Sequence, residues 1–145
     1  MKGFTLLELL AVMIIAAVLL AVAVPKFNSE LIWRTKAYTA ARKVASCLLY
    51  TQSLAISTSK DHRIDFLPSE GPFVKFEIWK EFEGGWVKVE EGDLPEDVTI
   101  TGDYQFTFHP LGDPTSGGEI SVVKGEHEYT VEVDPIIGRV EVIEG

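Results

Sequence analysis

From Leu9 to Val24 the chain carries no polar side chain, yet the residue immediately before that run is Glu8. Counted from Phe4, the stretch is 21 residues long. As an α-helix it would extend about 31 Å at 1.5 Å per residue, the thickness of a bilayer's hydrocarbon core. A carboxylate near a membrane centre costs ~2.5–3.5 kcal/mol on insertion scales. A segment that keeps Glu8 there has a use for it.

Two ordinary readings cover the segment incompletely. A secretory signal peptide has a shorter apolar region followed by a small-residue cleavage site. "AVAVP" supplies the small residues, but this leaves Glu8 without a role and only Lys2 in the basic region. A plain membrane anchor fits the length. However, Lys26, Arg34 and Lys36 lie beyond the span, against Lys2 and the α-amine before it, so charge alone leaves the topology open.

The remainder of the 145 residues is enough for one domain. The single cysteine, Cys47, excludes an internal disulfide, and it reads as a reduced, partly buried structural residue. Charge divides the chain. Residues 1–59 hold six Lys/Arg against two acids, and residues 60–145 hold seven against twenty, a balance of −13. A domain so acidic is soluble and repels nucleic acid and anionic lipid.

Beyond Pro25 the helix is expected to continue as an amphipathic one. Ala37, Ala41, Val44, Leu48, Thr51 and Ala55 recur at spacings of three and four, with Leu31, Ala45, Leu49 and Ile56 widening the stripe. Arg34, Lys36, Arg42 and Lys43 fall mostly outside it. Proline removes a ladder hydrogen bond, so Pro25 is expected to break or bend the helix. From Arg63 onward the pattern is antiparallel β. "FVKFEIWKEF" alternates, placing Val74, Phe76, Ile78 and Phe82 on one face, and Gly84–Gly85 turn it into "WVKVEE". "VTIT", "YQFTFH", "EISVV", "EYTVEV" and "RVEVIE" follow, separated by Gly, Pro or Asp. Short connections predict a sequential meander in two small sheets. "PLGDPTSGG" (Pro110–Gly118) reads as the most flexible loop.

"KGFTLLELL", the unbroken apolar run and then Pro25 resemble the start of a type IV prepilin, a class that includes the type II secretion pseudopilins. The resemblance implies that a prepilin peptidase cuts after Gly3 on the cytoplasmic side and N-methylates Phe4. The leader Met1–Gly3 is short for that class but basic. Glu8 falls on the family's glutamate, implied to pair with a neighbouring subunit's amine during filament assembly. Breaking a buried pair of that kind costs ~3–5 kcal/mol, against ~0.3–1 kcal/mol for a carboxylate that only favours the first helical turn.

The distal half is similar to the GspH/FimT minor pilins and pseudopilins. Phe108 to Gly112 matches an F-x-x-x-G stretch, Ile120–Val123 the following strand, and Gly138–Arg139 the terminal Gly-Arg-strand. Together these imply an α+β, type IV pilin-like fold: a long N-terminal helix, its first half transmembrane, packed on an antiparallel β domain of two small sheets. The expected division is leader 1–3, transmembrane or filament-core half 4–27, amphipathic half 28–59 and β domain 60–145. The implied location is the inner membrane, single-pass, with the C-terminal domain in the periplasm and the subunit assembled into a filament. The implied partners are other pilin subunits, the prepilin peptidase and an inner-membrane assembly platform.

No residue pattern points to an enzyme, a cofactor or a metal. His62, His109 and His127 stand far apart in sequence, without metal-ligand spacing or a nucleophile motif. The rival function is DNA binding, since FimT-type pilins serve DNA uptake through a terminal Gly-Arg-x-Arg able to hold phosphate. Gly138 and Arg139 are the candidate ligand-contact residues here, but Glu141 replaces the second arginine. One Arg in so acidic a domain neutralises too few phosphates to support affinity.

Overall fold

The computed structural model describes residues 5–145, the side chains of 24–28 excepted. Gly3 and Phe4 therefore lie outside the described residues. The chain forms two compact units, Met1–Trp33 and Arg34–Gly145. One helix, α1 (Leu6–Thr58), contributes to both.

Between Glu8 and Lys26, α1 carries only apolar residues. Its window Leu6–Ala23 is 18 residues long, has a mean hydropathy of 2.9 and is nowhere buried, so length and composition suit a membrane span. The helix assignment is continuous across position 25. The bend expected at Pro25 rests on a side chain outside the described set and stays an expectation.

The second unit is built from the rest of α1 and eight strands: β1 (His62–Leu67), β2 (Lys75–Phe82), β3 (Gly85–Asp93), β4 (Thr99–Gly102), β5 (Gln105–Phe108), β6 (Gly118–Lys124), β7 (His127–Val133) and β8 (Val140–Glu144). They form two four-stranded antiparallel sheets, ordered β3-β2-β1-β5 and β4-β6-β7-β8. Alternation sets the inner faces. Ile64 and Phe66 of β1, Phe76 and Ile78 of β2, and Phe106 and Phe108 of β5 point in from the first sheet, and Ile120, Val122, Val131 and Val133 from the second. Ala37, Ala41, Val44, Leu48, Thr51 and Ala55 of α1 are all fully buried against this single core.

Four features depart from the expected pattern. First, the meander is interrupted where β4 and β5 trade sheets: β4 pairs with β6 and β5 pairs with β1, so the chain changes sheets at β3–β4, β4–β5 and β5–β6. Asp103 marks the β4–β5 crossing. Its N–H donates to the Glu119 carbonyl at 2.9 Å, and its carboxylate accepts from the Glu119 N–H at 2.9 Å, while the Tyr104 carbonyl accepts from Phe66 in the other sheet at 2.6 Å. Gly102, at φ +133°, comes so near Glu119 that a side chain there would collide with backbone. Second, the β2–β3 turn is Glu83–Gly84, one residue earlier than expected, because Phe82 pairs with Gly85. Both turn residues have positive φ, as a two-residue hairpin of the right twist requires.

Third, Val74 and Phe82 are exposed rather than inward, one lying before β2 begins and the other at its turn. Fourth, the helical stripe does not widen as expected. Ala45 is buried, but Leu31, Leu49 (47%) and Ile56 (52%) are exposed; Ala40 and Cys47 on the opposite flank are buried instead. The Cys47 thiol, desolvated by that burial, is pushed up to about 11.

A fragment of residues 28–145 is expected to be soluble and to melt cooperatively. In it, Leu48→Ala is expected to lower the unfolding free energy by ~2–5 kcal/mol through the cavity left at a fully buried site. Leu49→Ala is expected to change it by only about 0.5 kcal/mol, as at other surface positions. Urea denaturation of the two variants checks the contrast.

Candidate functional site

Two places carry the residues singled out in the sequence. The first is the start of α1. Thr5 stands at the N-cap and Glu8 three residues on. The Glu8 carboxylate accepts from the Thr5 backbone N–H and hydroxyl, and the Glu8 N–H donates to the Thr5 Oγ1, each at 3.3 Å. This is a capping box, which satisfies helix-terminal donors that have no partner within the helix. The spacing Thr-x-x-Glu is its signature in sequence. Glu8 is thus locally satisfied, through bonds at the long end of the range.

The second place is a pair of loops closed over α1. Gly112 ends the F-x-x-x-G stretch and Gly138 begins the Gly-Arg stretch, far apart in sequence, and the fold brings them together. Both have positive φ, +89° and +68°. Gln52 of α1 donates through Nε2 to both their carbonyls, at 2.7 Å to Gly112 and 3.0 Å to Gly138. Its amide orientation follows, since two acceptors require the nitrogen. A Cβ at Gly138 would lie 2.3 Å from the Gly112 oxygen and 2.7 Å from the Gln52 nitrogen. Only glycine fits the conformation and the space. Sequence reading missed Gln52; its signal was a polar residue flanking the buried positions Leu48, Thr51 and Ala55.

Each loop is also tied from within. The Asp134 carboxylate accepts from the N–H groups of Ile136 and Ile137, at 2.8 and 3.0 Å. These bonds, that of Ile137 first, hold its pKa below the usual carboxylate range. Gly138 N–H donates to the Asp134 carbonyl, and Asp134 N–H to the Arg139 carbonyl. In the other loop, His109 Nδ1 lies 3.1 Å from Asp61 Oδ1 and its Nε2 lies 3.2 Å from Thr115 Oγ1. A carboxylate only accepts, so Nδ1 carries the proton and the hydroxyl donates to Nε2 when the ring is neutral. The order carboxylate–imidazole–hydroxyl is that of a nucleophile triad. No sequence spacing announced it. In this fold it connects the start of the β domain to the Pro110–Gly118 loop.

Arg139 is exposed but has carboxylates around it. Its Nε lies 3.3 Å from Glu141 Oε1, and a cleft of about 40 Å³ beside it is otherwise lined by Glu132, Asp134 and Glu141. Gly138 and Arg139, expected to act together, have separate surroundings: the glycine is locked to Gln52, the arginine faces carboxylates.

Replacing Gln52 with Ala leaves two carbonyls without their donor, which is expected to cost ~1–3 kcal/mol. Gly138→Ala is expected to cost more, through its collision with Gly112. Chemical denaturation compares the two, and hydrogen exchange at residues 110–118 and 134–139 is expected to rise in both.

Residues 1–24 match a family model described as the prokaryotic N-terminal methylation motif. Among curated proteins none matches the chain. Among solved structures, the type IV minor pilin FimU of Pseudomonas aeruginosa superposes with a TM-score of 0.64 at 17% identity, over 75% of this chain and 89% of that one. The minor pseudopilin EpsH from the type 2 secretion system of Vibrio cholerae superposes with a TM-score of 0.61 at 13% identity, over 75% of this chain and 97% of that one. The chain thus carries the N-terminal methylation motif, and the fold behind it is that of the type IV minor pilins and pseudopilins.

Proposed function

We propose that the chain is a minor pilin or pseudopilin: a structural subunit held in the inner membrane by the first part of α1 and drawn from there into a filament. The observation that supports this best is the combination of an unbroken apolar helical run with Glu8 in the helix's first turn. An apolar helix alone is an anchor. The carboxylate adds a charge at the edge of the span that a mere anchor has no reason to keep, since charge in the bilayer is costly, ~2.5–3.5 kcal/mol at its centre. In the proposed scheme a prepilin peptidase removes Met1–Gly3 and methylates Phe4. The new amine then becomes the ion partner that Glu8 of a neighbouring subunit takes in exchange for its capping bonds. Pro25 loosens the helix at the end of the apolar run, and the β domain lies in the periplasm. The inner-membrane assembly platform and the other subunits are the partners this scheme requires. Its chemistry asks for no cofactor or catalytic residue.

DNA uptake is the competing role, and the electrostatics weigh against it. Phosphate contacts supply most non-specific affinity, and each needs a cation. Arg139 is flanked by Glu141, Glu132 and Asp134. The choice between a secretion pseudopilus and a pilus turns on which subunits neighbour this one.

Co-expression with a prepilin peptidase is expected to yield a protein whose intact mass lacks Met1–Gly3 and carries one methyl group on Phe4. Cleavage after Ala23 instead would make the segment an ordinary signal peptide. Glu8→Ala is expected to enter the membrane at least as well as the native chain and to fail to join filaments; normal assembly would reduce Glu8 to a helix cap.

For the rival, fluorescence anisotropy with duplex DNA at two salt concentrations is expected to show no measurable binding at physiological salt. Any low-salt signal is expected to fall steeply as salt rises. Micromolar binding at physiological salt, abolished by Arg139→Ala, would make this a DNA-uptake pilin.

A further inference from the structure

Each four-stranded sheet has two edges, and an uncovered edge presents a row of unpaired backbone N–H and C=O groups. Three of the four edges are short or covered. Along β5 the Thr115 N–H donates to the Thr107 carbonyl at 2.9 Å, and along β4 the Phe73 N–H donates to the Ile100 carbonyl at 2.7 Å. β8 is five residues long. The fourth edge, β3, runs for nine residues, eight of them exposed. Among the described residues no backbone group outside β2 bonds to it.

Edge strands are ordinarily guarded by a proline or by a lysine that an incoming strand would have to bury. β3 contains no proline. Its lysine, Lys88, is held against the sheet, with Nζ 2.5 Å from Glu91 and 3.5 Å from Glu77 of β2. The strand is also held ready. It pairs with β2 along its length apart from a bulge at Val89, and the Arg63 guanidinium packs 4.7 Å from the Trp86 ring. A segment docking there has only itself to order.

Side chains define what that segment carries. The bulge divides β3 into two halves of different chemistry. Trp86, Val87 and Val89 are exposed apolar residues of the first part. Glu90, Glu91 and Asp93 follow, and residues 83–93 hold four acids (with Glu83) against Lys88, a balance of −3. Two copies meeting edge to edge set −3 against −3, which disfavours a self-pair.

We propose that β3 is a strand-addition site, which takes an extended segment of another protein into the β3-β2-β1-β5 sheet as a fifth strand. That segment is apolar where it passes Trp86–Val89 and carries Lys or Arg where it passes Glu90–Asp93. Main-chain hydrogen bonds supply affinity, and the two unlike halves of β3 select sequence and direction. The contact lies within the second unit and is independent of how the N-terminal segment is processed.

The test uses the full-length chain in detergent micelles and a fluorescent peptide as long as β3, Lys-Thr-Arg-Lys-Val-Thr-Val-Tyr-Thr. Antiparallel to β3, it sets its basic end against Asp93. Fluorescence anisotropy is expected to saturate with a Kd on the order of 10 μM. Two further peptides carry N-methyl groups on every second backbone nitrogen, in one register or the other. Only alternate N–H groups of an added strand face its neighbour, so one of the two is expected to lose about tenfold in affinity and the other to keep it. Asp93→Lys, at an exposed position, is expected to weaken binding about tenfold and to leave the melting temperature unchanged. Hydrogen exchange in Gly85–Asp93 is expected to slow in the complex. Equal binding by both N-methylated peptides would show only a basic peptide drawn to an acidic surface, and would overturn the proposal. So would a failure to saturate by about 1 mM peptide. Self-pairing of the edge, read as disulfide dimers of a Cys47→Ala, Val89→Cys chain without peptide, would overturn it as well.

Discussion

Everything in the second unit depends on how near α1 can come to the two sheets. Ala37, Ala40, Ala41, Ala45 and Ala55 are buried on the packed side of the helix, with Val44 and Leu48 as the larger fillers. Small side chains bring backbone close to backbone, and the large residues of the core come mainly from the strands: Phe66, Phe106, Phe108, Ile64 and Ile78. Cores are close-packed, so an added methylene on the alanine stripe would push both sheets outward. The same closeness lets a side chain as short as Gln52 reach the carbonyls of two loops at once. Polar ties around the core align with this packing. Arg34 reaches Glu144 on β8 at 2.9 Å, Lys36 reaches Asp97 at 2.5 Å, and Tyr38 packs edge-on against Tyr129. The exposed pairs among these contribute little stability each; the rotation of the helix about its axis follows from its buried stripe.

Much of this was legible in the residues, for a physical reason. The six stripe positions from Ala37 to Ala55 follow a 3.6 period that only a helix can turn toward one face, and each strand alternates with the period of a pleated sheet. What stayed hidden was long-range. Nothing local to "VTITGDYQFTF" says that the chain changes sheets at Asp103, because both strands obey the same alternation. Nothing near Leu49 or Ile56 says that the β domain stops short of them. At the loops, the glycines at 112 and 138 were readable as turn residues, but their mutual contact, and the meeting of Asp61, His109 and Thr115, exist only once the fold is closed. The N-terminal carboxylate is the converse case. Its hydrogen bonds are within one turn, and the Thr5-x-x-Glu8 spacing contains them.

The charge division along the chain has a structural counterpart. The basic residues cluster on the first part of the amphipathic helix, where two of them are spent on carboxylates of the β domain. On the β domain several of the cations are similarly engaged. Lys88 lies within 2.5 Å of Glu91 and 3.5 Å of Glu77, and the Arg63 guanidinium packs between Trp79 and Trp86 at 5.7 and 4.7 Å from their rings. What remains facing solvent is largely anionic. Such a surface stays soluble and selects for cationic partners, and salt weakens that selection over a length of about 8 Å at physiological ionic strength.

Cys47 has a consequence for the life of the molecule between synthesis and use. With the thiol buried against the core and its ionisation pushed up to about 11 by that desolvation, the reactive thiolate is scarce at neutral pH. Disulfide exchange proceeds through that species. The thiol is therefore slow to exchange with disulfides whether its surroundings are reducing or oxidising. With a single cysteine, the fold holds no internal disulfide to make or break. That indifference comes from where the helix places one sulfur atom.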